Sequence, residues 1–172
     1  MKRLLIFTFA LTMLATAGYA QGHGGPGGPG PEGEHGFGGP AIIGSDGTVF
    51  VTKASSTAGS VDIVAIRSTG AIGWTATIAE RGHLLLSDGN LLSTTEAKNS
   101  DGTFTSTITA ISTASGTVAW TKTFPGHADP IGTFSGGTYL NVIVPPATSG
   151  GTPTRSLVAL SNSGSVLWTS SI

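Results

Sequence analysis

The sequence has no cysteine, and that removes disulfides, thiolate metal sites and a lipid anchor on a processed N-terminal cysteine. Charge is also scarce: only 10% of residues are Asp, Glu, Lys or Arg. After Lys2 and Arg3, six basic and nine acidic residues remain, with no basic patch or stripe, which argues against nucleic-acid binding. Glutamine occurs once, at Gln21. No amphipathic helix of useful length follows the first twenty residues, and no later apolar run approaches the length needed to cross a bilayer. A Gly-x-Ser-x-Gly elbow is missing too, which weakens a hydrolase reading.

What is present begins with an export signal over residues 1–20. Lys2-Arg3 supply the positive end, Leu4 to Leu14 the apolar stretch, and Ala17-Gly18-Tyr19-Ala20 a small-residue cleavage site. The expected destination is the periplasm or the extracellular space. Residues 21–40 contain ten glycines and four prolines, so they have almost nothing apolar to bury and are expected to be a disordered Gly/Pro/His linker. His23 and His35, with Glu32 and Glu34, are weak candidates for loose metal binding there. Their spacing is not fixed by any element, and chance polar residues in a solvated linker explain them better.

From Ala41 onward the chain repeats one phrase three times. Each copy has an apolar, β-branched run, a turn with a glycine, and a tryptophan four residues after that glycine. The pairs are Gly70 and Trp74, Gly116 and Trp120, Gly164 and Trp168, and they account for every tryptophan in the sequence. Two strand-like runs around a Ser/Thr/Asn/Gly cluster spell a β-hairpin, with the glycine taking a positive φ. Upstream, Ser45-Asp46-Gly47, Ser87-Asp88-Gly89 and Ser135-Gly136-Gly137 each precede another strand-like run. The tryptophans lie 46 and 48 residues apart. A period in the forties with about four strands per unit predicts propeller-type blades. The expected units are 41–79, 80–125 and 126–172.

The phrase resembles the tryptophan-docking motif of quinoprotein-like β-propellers, the pyrroloquinoline-quinone-like repeat, which runs Ala-x-Asp-x-x-Thr/Ser-Gly-x-x-x-Trp. Ala110 to Trp120 has its length, whereas Ala65 to Trp74 and Ala159 to Trp168 are one residue shorter. The aspartate is missing from all three copies, with Ser112, Arg67 and Ser161 in its place. The resemblance implies an all-β fold of three four-stranded antiparallel blades forming a partial, or oligomer-completed, β-propeller. It also implies that Trp74, Trp120 and Trp168 pack between blades.

Enzymes of that family hold their quinone over calcium, often beside a vicinal disulfide. No cysteine exists here, and the carboxylates Asp62, Glu80, Glu96 and Asp101 are scattered singly, so no catalytic residue and no cofactor is expected. His83, Asp88, His127, Asp129 and Ser135 contain the residue types of a hydrolytic triad, but His83 and His127 read better as loop residues opening units two and three. That histidine pair is the single candidate for a shared polar loop site. The expected function is an exported, non-catalytic binding scaffold for a protein or glycan partner. The alternatives are a bulb-lectin-like carbohydrate-binding protein, whose Gln-x-Asp-x-Asn-x-Val-x-Tyr sugar motif is absent, and a fragment of a quinone-dependent dehydrogenase. Three units are fewer than the four to eight of closed propellers. The favoured expectation is the front part of a longer protein; a homodimer closing a ring and a free-standing arc are the other two.

Overall fold

Alternation of apolar and polar residues between glycine-rich turns builds twelve strands and nothing else in the computed structural model, which describes residues 41–79, 84–146 and 150–172. The expected export signal and linker lie outside these residues. So do His23, His35, Glu80 and His83. Among the described residues, no helix is long and apolar enough to cross a membrane.

The strands form three antiparallel meanders of four. Sheet 1 holds β1 (Ile42–Ile43), β2 (Val49–Ala54), β3 (Ser60–Ile66) and β4 (Ile72–Ala79). Sheet 2 holds β5 (Leu85–Ser87), β6 (Asn90–Lys98), β7 (Phe104–Ser112) and β8 (Val118–Pro125). Sheet 3 holds β9 (His127–Phe134), β10 (Gly137–Val144), β11 (Thr154–Ser161) and β12 (Val166–Ser171). No sheet closes into a barrel.

The same cross-strand row recurs in each sheet. Phe50, Ala65 and Trp74 stand side by side in sheet 1, Leu92, Ala110 and Trp120 in sheet 2, and Tyr139, Ala159 and Trp168 in sheet 3. The methyl of each alanine leaves room for the indole opposite. Directly after each alanine the register slips by one residue. The bulge sharpens the local twist and turns the tryptophan toward the neighbouring sheet. The extra residue of the second phrase does not disturb this row. It is absorbed in the turn, where Gly116 N–H donates to Ser112 O; Gly70 and Gly164 donate to Arg67 O and Ser161 O in shorter turns.

Sheet 2 is sandwiched. Its Leu91 and Ile111 pack with Phe50, Ile63 and Ala65 of sheet 1. Its Leu92, Ile108, Ala110 and Phe124 pack with Ala128, Leu140, Val142, Val158 and Leu160 of sheet 3. Ile63, Leu91, Ile108, Leu140 and Leu160 have no exposed surface at all. Each such side chain contributes about 1.5–3 kcal/mol by leaving water. The period-2 pleat explains the division: successive residues of β6 and β7 face opposite neighbours.

One buried hydroxyl stitches sheets 2 and 3 where β8 passes to β9. Ser106 Oγ donates to Gly126 O at 2.8 Å and accepts from Ala128 N–H at 2.9 Å, with no solvent exposure. Ser106→Ala would leave a buried carbonyl and a buried N–H without partners. The expected loss is about 1–3 kcal/mol in urea unfolding; an unchanged midpoint would show that water replaces the hydroxyl.

Candidate functional site

Three features of the sheet seams can carry function: the tryptophan docks, a polar clasp between sheets 2 and 3, and an open cleft where sheets 1 and 2 meet, walled also by Thr133 of sheet 3.

The docks come first. Trp74 of sheet 1 donates its indole N–H to Thr113 O of sheet 2 at 2.8 Å. Its ring lies so close over Gly116 that a Cβ there would fall 2.5 Å from it. Trp120 of sheet 2 does the same one sheet further on, donating to Asn162 O at 2.7 Å and covering Gly164, whose Cβ would lie 2.7 Å away. The two glycines have φ of 73° and 80°, so the hairpin turn and the close approach of the ring both require glycine. The turns are held in place by their own sheets. Thr113 N–H donates to Gly89 O and Asn162 N–H to Gly136 O, which aims the free carbonyls at the incoming indoles. The Ser-x-Gly turns singled out in the sequence are therefore the props behind the docks in sheets 2 and 3.

The clasp was not legible in the sequence. Ser87 donates to Gly137 O at 3.2 Å, Asn90 Nδ2 to Asn162 O at 3.4 Å, and Asp88 Oδ2 accepts from Gly136 N–H at 2.7 Å and Asn162 Nδ2 at 3.3 Å. Asp88 sits at φ 31° and Gly89 at φ 82°, a pair of positive angles that a two-residue hairpin between Ser87 and Asn90 demands. The superficially similar Asp46 behaves differently. It accepts from Thr48 N–H at 3.0 Å and Thr48 hydroxyl at 2.9 Å, within its own longer turn. Asp101 repeats that local pattern with Thr103.

Both Asp46 and Asp88 open onto one cleft of about 430 Å³, lined also by Ser45, Leu86, Thr113 and Thr133. A second opening of about 240 Å³ runs beside Trp74, past Arg67 and again Asp46. The Gly136 N–H, and after it the Asn162 amide, hold the Asp88 carboxyl below the usual aspartate range. The Thr48 N–H and hydroxyl do the same for Asp46. Both groups are thus anions at neutral pH, and their folded-state pKa lies below the unfolded value. Their contribution to stability is present above that unfolded value and disappears as the pH falls through the folded one. Wild-type stability should therefore fall on acidification below about pH 4, and Asp88→Asn should flatten that fall. Urea midpoints between about pH 5 and 3 test this; parallel curves for the two proteins would contradict it.

No known family model matches this sequence, and no curated protein is significantly similar to it.

The structure separates the histidine-based candidates. His127 is not in a loop: it opens β9 opposite Ile143, because Gly126 alone links β8 to β9 and the ladder begins at once. It bonds Glu96 at 2.7 Å and stacks on Phe104 at 4.8 Å, both residues of sheet 2. Ser135 lies beyond the far end of the same strand, roughly 25 Å away at strand rise. His127 and Ser135 therefore cannot act as one triad. Glu96 is likewise not a lone carboxylate, and Asp62 is held by Thr77 at 2.8 Å with Lys53 at 3.8 Å. Among the described residues, no three His, Asp or Glu side chains are placed to hold a metal ion.

Proposed function

We propose that this chain is an exported, non-catalytic β-propeller-type repeat module that serves as a binding scaffold for a protein or glycan partner. The reading as blades is supported by the twice-made tryptophan-on-glycine dock, which joins one four-stranded meander to the next through the same atoms each time. The export part rests on the first twenty residues of the sequence.

The observation that carries the binding role is the cleft shared by Asp46 and Asp88. Its two carboxylates are ionised and held by backbone N–H groups, so they are ordered acceptors. Leu86 and the threonines Thr113 and Thr133 complete a wall of mixed polarity. Sugar hydroxyls suit such a wall: they donate to carboxylates and threonines, while their C–H faces lie on apolar surface. This favours the glycan over the protein partner.

Titration of the mature protein against immobilised neutral oligosaccharides, followed by calorimetry on any that bind, tests the proposal. The expected result is saturable binding that Asp46→Asn and Asp88→Asn each weaken about tenfold, the scale of a hydrogen bond to a charged group. Binding unaffected by both substitutions, or quinone-dependent dye reduction by the purified protein, would contradict it.

A further inference from the structure

The two ends of the stack carry the two halves of a contact that the chain makes twice internally. At one end, Trp168 stands in the same row as the docked tryptophans and is propped by Tyr139 at 5.8 Å, as Trp74 is by Phe50 at 5.7 Å. It is in docking posture, yet 44% exposed, and among the described residues its indole N–H has no acceptor. Leu167 and Val166 are exposed beside it. At the other end, the turn of Gly70 matches that of Gly164. Gly70 N–H donates to Arg67 O and Arg67 N–H to Ala71 O, as Gly164 N–H donates to Ser161 O and Ser161 N–H to Ser165 O. The φ values are 82° and 80°. Ser68 occupies the place of Asn162, the residue whose carbonyl accepts Trp120. A Cβ added to Gly116 or Gly164 would stand less than 3 Å from an indole, whereas among the described residues a Cβ added to Gly70 would meet nothing within 4 Å. Gly116 and Gly164 face the preceding sheet, so the repeat turns Gly70 away from sheet 2.

We propose that a second copy of this chain fills both vacancies. Trp168 of each chain stacks on Gly70 of the other and donates to the Ser68 carbonyl, so that two three-sheet stacks close one six-sheet ring. The contact is heterologous, but the ring closes after two chains and leaves no open filament end. Exposed Ile43 of the first sheet stands at the ladder position where Leu86 of sheet 2 packs against sheet 1, so the same kind of contact would cover it. Six blades fall within the usual range for closed propellers. The inference rests on the propeller reading of the stack and not on the ligand of the cleft, so failure of oligosaccharide binding leaves it untouched.

Sedimentation velocity of the mature chain, from low to high micromolar concentration, is the test. The expected species has twice the monomer mass. Trp168→Ala and Gly70→Ala should each raise the dimer dissociation constant roughly tenfold or more, the scale of an interface hot spot. Circular dichroism of Trp168→Ala should stay native, since among the described residues that ring touches its own sheet and is docked on no other. Mixing the two variants restores one intact contact, Trp168 of the glycine variant on Gly70 of the tryptophan variant, and should recover part of the association. A wild-type chain that remains monomeric throughout, as it would if further sheets of the same polypeptide covered these faces, overturns the proposal. So does a Trp168→Ala protein that dimerises as tightly as wild type.

Discussion

Trp120→Ala is expected to cost about 3–5 kcal/mol, the range for truncating a large packed aromatic. The ring is the main bridge at the rim of the seam between sheets 2 and 3. It covers Gly164, donates to Asn162 O and packs against the core that joins Leu92 and Ile108 to Leu140 and Leu160. Removing it leaves a slot bounded by backbone, which cannot collapse because both flanking hairpins are held by their own ladders. It also strips the Asn162 carbonyl of its strongest donor, leaving only Asn90 at 3.4 Å. Urea unfolding monitored by far-ultraviolet circular dichroism measures the change. A loss below about 1 kcal/mol would show that the seam does not depend on the dock.

A pair of glycine substitutions separates docking from backbone strain. Gly70 and Gly164 have nearly identical φ, 82° and 80°, in turns with the same hydrogen bonds. Alanine at either position incurs the same left-handed penalty of about 1–2 kcal/mol. Only Gly164→Ala also drives a methyl group into the Trp120 ring, at 2.7 Å from Cδ2. Under dilute conditions that keep the chain monomeric, Gly70→Ala should therefore lose about 1–2 kcal/mol and Gly164→Ala about 3 kcal/mol or more. In the background of Trp120→Ala the difference between the two glycine sites should vanish, because the clash has no ring to meet. Equal effects of the two substitutions in the wild-type background would contradict the docked geometry.

Much of the fold was legible because it is written in local chemistry. The period-2 runs and glycine turns locate the strands: the two runs around Gly70, Gly116 and Gly164 appear as β3 and β4, β7 and β8, and β11 and β12. The start of sheet 3 was less legible. His127 is expected in the loop that opens unit three, but β9 begins at His127, because Asp129 and Pro130 occupy an edge strand where proline needs no ladder donor on its outer side. That shift moved His127 from an expected loop into the ladder. The clasp was hidden for another reason. Ser45-Asp46-Gly47 and Ser87-Asp88-Gly89 look alike, but hairpin length decides where the carboxylate reaches. The two-residue turn throws Asp88 across to Gly136 and Asn162, 48 and 74 positions along the chain, whereas the longer turn keeps Asp46 on Thr48. Such long-range partners have no periodicity to reveal them. The tryptophans stood out because their contact repeats at a constant offset from glycine.

Each sheet is fastened to the next by an indole hydrogen bond made over a bare glycine, and the last indole is left without an acceptor among the described residues of a single chain. Hydrogen exchange of the three indole N–H groups, resolved by nitrogen-15 NMR on dilute monomer, tests this most directly. Two protected resonances are expected, Trp74 and Trp120, and one that exchanges at the rate of a free indole, Trp168. Three equally fast resonances, or a Trp168 as protected as the other two in the monomer, would contradict it.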